Sequence, residues 1–516
     1  MTAHQTDGRG TAAKRSEQRV STEGTTLFRG GARSLGVAIT AALASLFCAI
    51  MLWPFIAGAG WWQIQHPTIA LADWHAVMVS VFCATSDGVL MIIFATPLAW
   101  ILARKQFPGK AVLEGLMLIF LLTPPLAMGM LLANVLGPES ILGRLAWHLD
   151  ISLTNSVFAL IIAGFYAAAP YYLFAARLAF GAVEPGYEDV GRMLGKSPMA
   201  IWFGITLPMA AGGLFWALMI GWLRALGEFG VAIIIAYFPH GIPIQMWVNL
   251  QDAGPRAVYP LLWMLILVAI PAPLLLGLSS VRRWGGQLKA MDRLTGLFAW
   301  FMPRRISGSN RRVCNNRRRL ESSIHIDTSI ASPIRLKVDF NLQGVTVLTG
   351  PTGSGKTTLL RAIAGLTAHK PSPETLAALA VHRIGYAAQQ SLLFPHLTVM
   401  QNVAFGIRGQ DRQHRAMMII GQFGLEHLAA RMPADLSAGQ AQMVSVARTM
   451  AGDPDVLLLD EPTAALDFEA TDALMAILQE MVRDHDTKIL MATHDRDIAR
   501  SADTWLSIKN GKISIH

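Results

Sequence analysis

The sequence predicts two joined parts, an α-helical polytopic membrane domain of about six spans and a soluble α/β domain, from three observations. Long apolar runs dominate the first 280 residues of a 516-residue chain. Five or six of those runs reach the roughly 20 residues needed to cross a hydrocarbon core. The last 185 residues read as an ordinary soluble α/β sequence.

The elements follow in chain order. Residues 1–34 are rich in Gly, Ser, Thr and charge, a composition that favours disorder. The membrane domain spans 35–283, with spans expected at 35–58, 76–103, 112–137, 153–180, 207–238 and 258–280. The first span follows a long polar preamble and lacks a small-residue cleavage site, so it reads as an uncleaved membrane helix rather than a signal peptide. Arg104, Lys105 and Lys110 follow span 2, Arg192 and Lys196 follow span 4, and Arg282, Arg283, Lys289 and Arg293 follow span 6. The alternate loops carry only Arg144 and Arg256, so both termini are expected in the cytoplasm of a multi-pass protein. A basic linker is expected at 284–331 and the α/β domain at 332–516.

Charge and cysteine usage narrow the classes. The net charge is +9, but seven arginines lie in RRISGSNRRVCNNRRRL alone. A basic stretch just inside a membrane meets anionic headgroups, so no nucleic-acid partner is expected. Cys48, Cys83 and Cys314 show no metal or redox spacing and are expected as free thiols.

The soluble part carries the chemistry. In GVTVLTGPTGSGKTTLLRAIAGL a β-branched strand meets a helix through Gly350, Pro351, Thr352, Gly353, Ser354, Gly355, Lys356, Thr357 and Thr358. This fits GxxxxGK[ST] with the required strand before it and helix after it. Loop N–H groups can surround phosphate oxygens, Lys356 adds a cation, and the Thr357 hydroxyl can reach Mg²⁺. DVLLLDEP is a buried-strand pattern ending in Asp460, suited to Mg²⁺, and Glu461, suited to polarise an attacking water. KILMATHD is another apolar strand, ending in His494.

With these motifs in order, 333–516 resembles the ATP-binding cassette ATPase family. LSAGQAQMVSVAR is similar to the family's signature, with Ser437, Gly439 and Gln440 retained. The resemblance implies that ATP and Mg²⁺ are bound, with Gln389 as the Q-loop glutamine and a Mg²⁺ contact. It implies Asp467 in the D-loop, Glu461 as base and His494 as the switch that reads the γ-phosphate. Three departures stand out. Ala438 replaces a glycine, Ile334 sits where an adenine-stacking aromatic is usual, and only 33 residues separate Lys356 from Gln389, which implies a trimmed accessory β-hairpin. The 22 residues after His494 leave no room for the regulatory domain of some importer ATPases.

In the membrane part, YEDVGRMLGKSPMAIWFGITLP at 187–208 resembles the coupling loop of binding-protein-dependent importer permeases of type I. The marks are Glu188, Gly195 and the closing Pro208. The resemblance implies short cytoplasmic helices at 188–203 seated in a groove of the ATPase. LLTPPLAMGMLLANVLG and RALGEFGVAIIIAYFP are similar to molybdate/tungstate permeases, with sulfate and thiosulfate permeases as near relatives.

Arg224 and Glu228 lie in an apolar run, one helical turn apart, about 6 Å in rise. A charge in a membrane is paired or functional. Either the two residues line an oxyanion path or they form a structural ion pair. Asp87 is a further candidate, expected near the outer interface.

Together the resemblances imply ATP-driven import of an oxyanion, molybdate or tungstate, across the cytoplasmic (inner) membrane of a prokaryote. The partners implied are the lipid membrane, a second copy of the chain in a homodimer, and a separate extracytoplasmic substrate-binding protein. Sulfate, thiosulfate, thiamine or ferric iron stay open as cargo, and a membrane-tethered regulatory ATPase is the reading from another class.

Overall fold

A computed structural model describes residues 42–43, 45–51, 53, 70–149, 152–271, 323–330, 335–367, 371–407, 411–509 and 511–516. The predicted preamble at 1–34, most of span 1, the end of span 6, the arginine-rich linker, Cys314 and Ile334 lie outside the described residues.

The long apolar helices are α1 (Leu71–Arg104), α2 (Lys110–Leu122), α3 (Pro125–Leu136), α4 (Val157–Gly181) and, after the short α5 (Pro185–Met193), α6 (Pro198–Leu226). Among the described residues α1, α4 and α6 can each cross a membrane, and α2 with α3 counts as a fourth at most, because the two are bent by 108°. Thr123, Pro124 and Pro125 explain the bend: a residue before proline is driven to extended backbone, and proline cannot donate into a helix. Two shorter helices follow, α7 (Ile242–Ala253) and α8 (Tyr259–Ala269).

One expected span is corrected. The run 207–238 is not a single helix; α6 begins earlier, at Pro198, and stops at Leu226. Beyond its end, a Cβ on Gly230 would stand 2.5 Å from the Pro125 Cβ, so the backbone there passes against the start of α3. Only a residue without a side chain fits.

Both α1 and α6 contain a π-helical turn, Met91–Ala95 in α1 and Trp202–Thr206 in α6. Each ends two residues before a proline, Pro97 and Pro208. A proline removes the donor for the carbonyl four residues back and crowds it, which a locally widened turn relieves.

The chain divides into two compact units. In the first (1–86, 124–167, 223–274), Met128, Leu132, Ala159, Ala163, Val231 and Ile235 form an apolar cluster. The second (87–123, 168–222, 275–516) holds an eight-stranded sheet. Its strands are β1 (Ile324–Ile330), β2 (Leu336–Leu342), β3 (Val345–Thr349), β4 (Ile384–Ala387), β5 (Val456–Asp460), β6 (Lys488–Ala492), β7 (Thr504–Lys509) and β8 (Lys512–Ile515), in the order β1-β2-β8-β7-β3-β6-β5-β4. β7, β3, β6, β5 and β4 are parallel, and β1 pairs antiparallel with β2. Every residue of β3, β5 and β6 is buried, as expected for parallel strands covered on both faces.

Alternate residues of these strands feed two cores. Val347, Leu457 and Met491 face one, Leu348, Leu458 and Leu490 the other. The sheet starts at Ile324, inside the segment assigned to the linker from sequence. Where the accessory hairpin looked trimmed stands a short helix, Pro373–Ala380. It is tied to β1 by Thr375, whose Oγ1 accepts from Asp327 N at 2.8 Å.

Candidate functional site

The phosphate loop is built where sequence placed it, between the tip of β3 and a helix starting at Lys356, α9 (Lys356–Ile363). Gly353 and Gly355 take φ of 80° and 101°, a region that excludes most side chains. The turn they permit aims main-chain N–H groups inward. Lys356 is buried and donates from Nζ to the Gly350 carbonyl at 2.8 Å. Ser354 Oγ is buried without a hydrogen-bond partner among the described residues. Such an orphaned hydroxyl fits an anionic phosphate group in the cradle.

β5 delivers the carboxylates. Asp460 accepts from Thr357 Oγ1 at 3.1 Å and from Tyr386 OH at 3.4 Å, so two of the three side chains assigned to Mg²⁺ already touch. Glu461 follows in the left-handed region at φ 51°. Its Oε1 lies 3.1 Å from His494 Nε2 and 3.9 Å from Lys356 Nζ. A non-glycine residue at positive φ stores strain, and here the strain turns the carboxylate back over the phosphate loop. Burial pushes both carboxyls above the usual carboxylate range. The predicted catalytic residues Lys356, Glu461 and His494 therefore converge. Gln389 is exposed on the bend after β4.

The signature segment is ordered by its own caps. Ser437 and Gln440 form a reciprocal capping box at the start of a helix, Ala438–Met450. Ala438 is that helix's first residue and not among the positive-φ positions, so the methyl that replaces the family glycine fits its backbone. A Cβ on Gly439 would stand 2.8 Å from Ala465 O, which keeps that position glycine. Asp467 caps the helix Phe468–His485, accepting from Ala470 N at 2.9 Å.

The predicted coupling loop packs on this α/β part within the same unit. Gly195 takes φ 68° at the turn after α5. Val190, Leu194, Ile201 and Ile205 cluster with Phe394, and Lys196 stands 5.0 Å over the Phe405 ring. Glu188, the acid picked from sequence, stays within the membrane part: it accepts from Thr206 Oγ1 at 3.1 Å and pairs with Arg104 Nε at 3.1 Å. Asp189 is the acid that crosses over, to Arg361 Nη2 at 3.1 Å on α9. Burial raises the Asp189 carboxyl, and Arg192 and Arg361 oppose that shift.

Sequence reasoning missed Asp189, Arg361 and Arg104, and two residues that shape the groove floor. Arg448 is fully buried and donates to the carbonyls of Leu392 at 2.8 Å and Ser391 at 3.1 Å. Asn402 brackets 394–398 with both ends of its amide. The helical spacing of Arg448 within the signature run was the one available signal.

In the first unit, Arg224 Nη1 donates to Glu228 Oε2 at 2.5 Å, and Glu228 Oε1 accepts from Val231 N at 2.7 Å. Glu228 thus caps the backbone after the helix break, which favours the structural reading of the pair. Asp87 is not near a helix end; it is buried midway along the 34-residue α1, with Oδ1 unpartnered among the described residues.

Residues 95–282 match the family described as binding-protein-dependent transport system inner membrane component, and 335–464 match the ABC transporter family. The chain is 34% identical over 205 residues to a probable molybdenum ABC transporter permease protein of Haloferax volcanii, covering 40% of this chain and 75% of that protein. It is 38% identical over 193 residues to the molybdate/tungstate import ATP-binding protein WtpC of Archaeoglobus fulgidus, covering 35% of this chain and 80% of that protein. It is 36% identical over 194 residues to the molybdenum import ATP-binding protein ModC of Photobacterium profundum, covering 35% of this chain and 54% of that protein. The match thus spans about half the length of that ModC.

Proposed function

We propose a function from one premise: this chain belongs to the ATP-binding cassette transporter family and carries a permease component and a nucleotide-binding cassette in one polypeptide. It hydrolyses ATP and couples the hydrolysis to import of an oxyanion, molybdate or tungstate, across a membrane. The observation that carries the coupling is the Asp189–Arg361 pair, which joins the permease's loop to the helix that begins at the phosphate-binding lysine. The cargo rests on the relatives of the two halves, which are named for molybdenum or tungstate independently of each other.

The residues divide the work. Loop N–H groups and Lys356 hold the phosphates, while Ser437, Gly439 and Gln440 of a second copy close over them, so two chains form two composite sites. Thr357 and Asp460, with Gln389, would hold Mg²⁺, which when bound neutralises charge on the phosphates. Glu461 takes the proton of the attacking water, and His494 holds that carboxylate in place. Both termini lie in the cytoplasm, and a separate extracytoplasmic binding protein delivers the oxyanion to the outer loops.

The test is uptake of labelled molybdate by cells that express this chain with its binding protein, competed by tungstate and by sulfate. Competition by tungstate alone is expected. Competition by sulfate, or no uptake, would overturn the cargo assignment.

A further inference from the structure

The closing Leu-Pro of the coupling loop acts on the Gly204 carbonyl, whose partner lies 192 positions away in sequence. In an α-helix the N–H of residue 208 would donate to the carbonyl of Gly204. Pro208 has no N–H, and its ring pushes that carbonyl aside. The local result is the π-turn Trp202–Thr206, in which Gly204 is buried. A buried carbonyl that has lost its α-helical donor is free to take a partner from outside the helix.

His396, from the α/β part, is that partner: its Nε2 lies 2.9 Å from Gly204 O. A carbonyl only accepts, so Nε2 carries the proton and Nδ1 is bare. Nδ1 is buried with no partner among the described residues, which fits a neutral ring with its proton committed to Gly204. The far end of the same turn is held from the membrane side. Thr206 Oγ1 donates to Glu188, and Arg104 pairs with Glu188 in turn. Asn402 fixes the loop that presents His396, through bonds to Phe394 and to the carbonyls of Leu397 and Thr398.

We propose that Pro208 and His396 act as one device. The proline strips Gly204 of its helical donor so that the cassette's histidine can take the carbonyl, which makes His396 the positioning residue through which cassette movement pulls on α6, the helix that ends at Arg224 and Leu226. The proposal rests on the transporter reading above. The Asp189–Arg361 pair transmits charge-dependent contact at the phosphate-loop helix, whereas the His396 bond grips the membrane helix itself.

The experiment uses the full chain in proteoliposomes with its binding protein. Four variants are compared with the wild type: His396→Leu, His396→Gln, Pro208→Ala and the double variant Pro208→Ala/His396→Leu. Two quantities are read, molybdate moved per ATP hydrolysed and backbone amide exchange across 198–212. Glutamine places an N–H where His396 Nε2 stands, so His396→Gln should keep both readouts. His396→Leu should lower the transport ratio by about tenfold, a typical coupling magnitude, and speed exchange in the segment. Alanine at 208 restores an N–H that captures Gly204 O inside the helix, so Pro208→Ala should lower the ratio similarly while slowing exchange. The double variant should be no worse in transport than either single one, the signature of one shared interaction.

A wild-type ratio in His396→Leu, or defects that add in the double variant, would overturn the device. Should the wild-type chain move no molybdate, the cargo reading falls and the exchange arm still decides. Faster exchange in His396→Leu but not in His396→Gln then supports the bond, and equal exchange in both refutes it.

Discussion

Asn402 offers the sharpest test of how the coupling groove is built. Its side chain is fully buried and serves both directions of hydrogen bonding. Oδ1 accepts from Phe394 N at 2.8 Å, while Nδ2 donates to the carbonyls of Phe394 at 3.2 Å, Leu397 at 3.0 Å and Thr398 at 3.1 Å. Asn402→Ala leaves the buried N–H of Phe394 unsatisfied, at about 1–3 kcal/mol, whereas the Phe394 carbonyl keeps its bond from Leu397 N. A domain of this size shifts by roughly 2–4 °C per kcal/mol, so a loss of about 2 kcal/mol lowers its unfolding midpoint by roughly 4–8 °C. The assay is thermal unfolding of the full chain in detergent, with ATP hydrolysis measured in parallel. Asn402→Asp keeps the acceptor for Phe394 and for Arg448 and loses the three donations, so its shift should be smaller than that of Asn402→Ala. A midpoint for Asn402→Ala within about 2 °C of wild type would refute the view that this amide organises the groove.

Three further outcomes are expected. Glu461→Gln should bind ATP normally and hydrolyse it about 10²–10⁴-fold more slowly, the usual worth of a positioned base; near-normal turnover would remove Glu461 from that role. Glu228→Gln should fold and insert like wild type because its amide oxygen can still accept from Val231 N, whereas Glu228→Arg should lose expression at the membrane; equal yields would show that the cap is dispensable. Burial holds the His396 pKa below its ordinary 6.5, so the unfolded chain takes up a proton that the folded chain refuses. The stability contribution is therefore full above that value and falls as the pH drops through about 6.5, a component that His396→Gln should lack in unfolding midpoints measured from pH 5.5 to 8.

Much of the nucleotide site was legible because its chemistry is local. Gly350 to Thr358 are one continuous loop and helix start, Asp460 and Glu461 are neighbours, and strand pattern alone placed them at sheet ends. Sequence could not supply the twist at Glu461, whose positive φ depends on the packing around β5 and β6. It named Glu188 as a mark of the coupling loop but did not single out Asp189. Glu188 and Asp189 are adjacent, so on a helix they point about 100° apart, and only the packed groove decides which one reaches Arg361. The run 207–238 looked continuous because hydropathy ignores backbone. After its break the Gly230 backbone passes against Pro125, more than a hundred residues earlier, a contact that hydropathy does not register.

The two π-turns show where local reasoning stops. Pro97 and Pro208 act identically on the chain before them, and each is followed back to a widened turn two residues upstream. Their surroundings differ. Ile93, four residues before Pro97, is largely exposed on the apolar surface of α1, whereas Gly204, four residues before Pro208, is buried against His396. A proline in a membrane helix is thus only an offer of a carbonyl, and whether it becomes a coupling contact depends on a donor brought from another domain. Joining permease and cassette in one chain sets their stoichiometry but creates no such contact. Under the proposed function, the bond from His396, the pair from Asp189 and the floor built by Asn402 and Arg448 are the contacts that would transmit movement, and each can be broken singly without touching the phosphate loop.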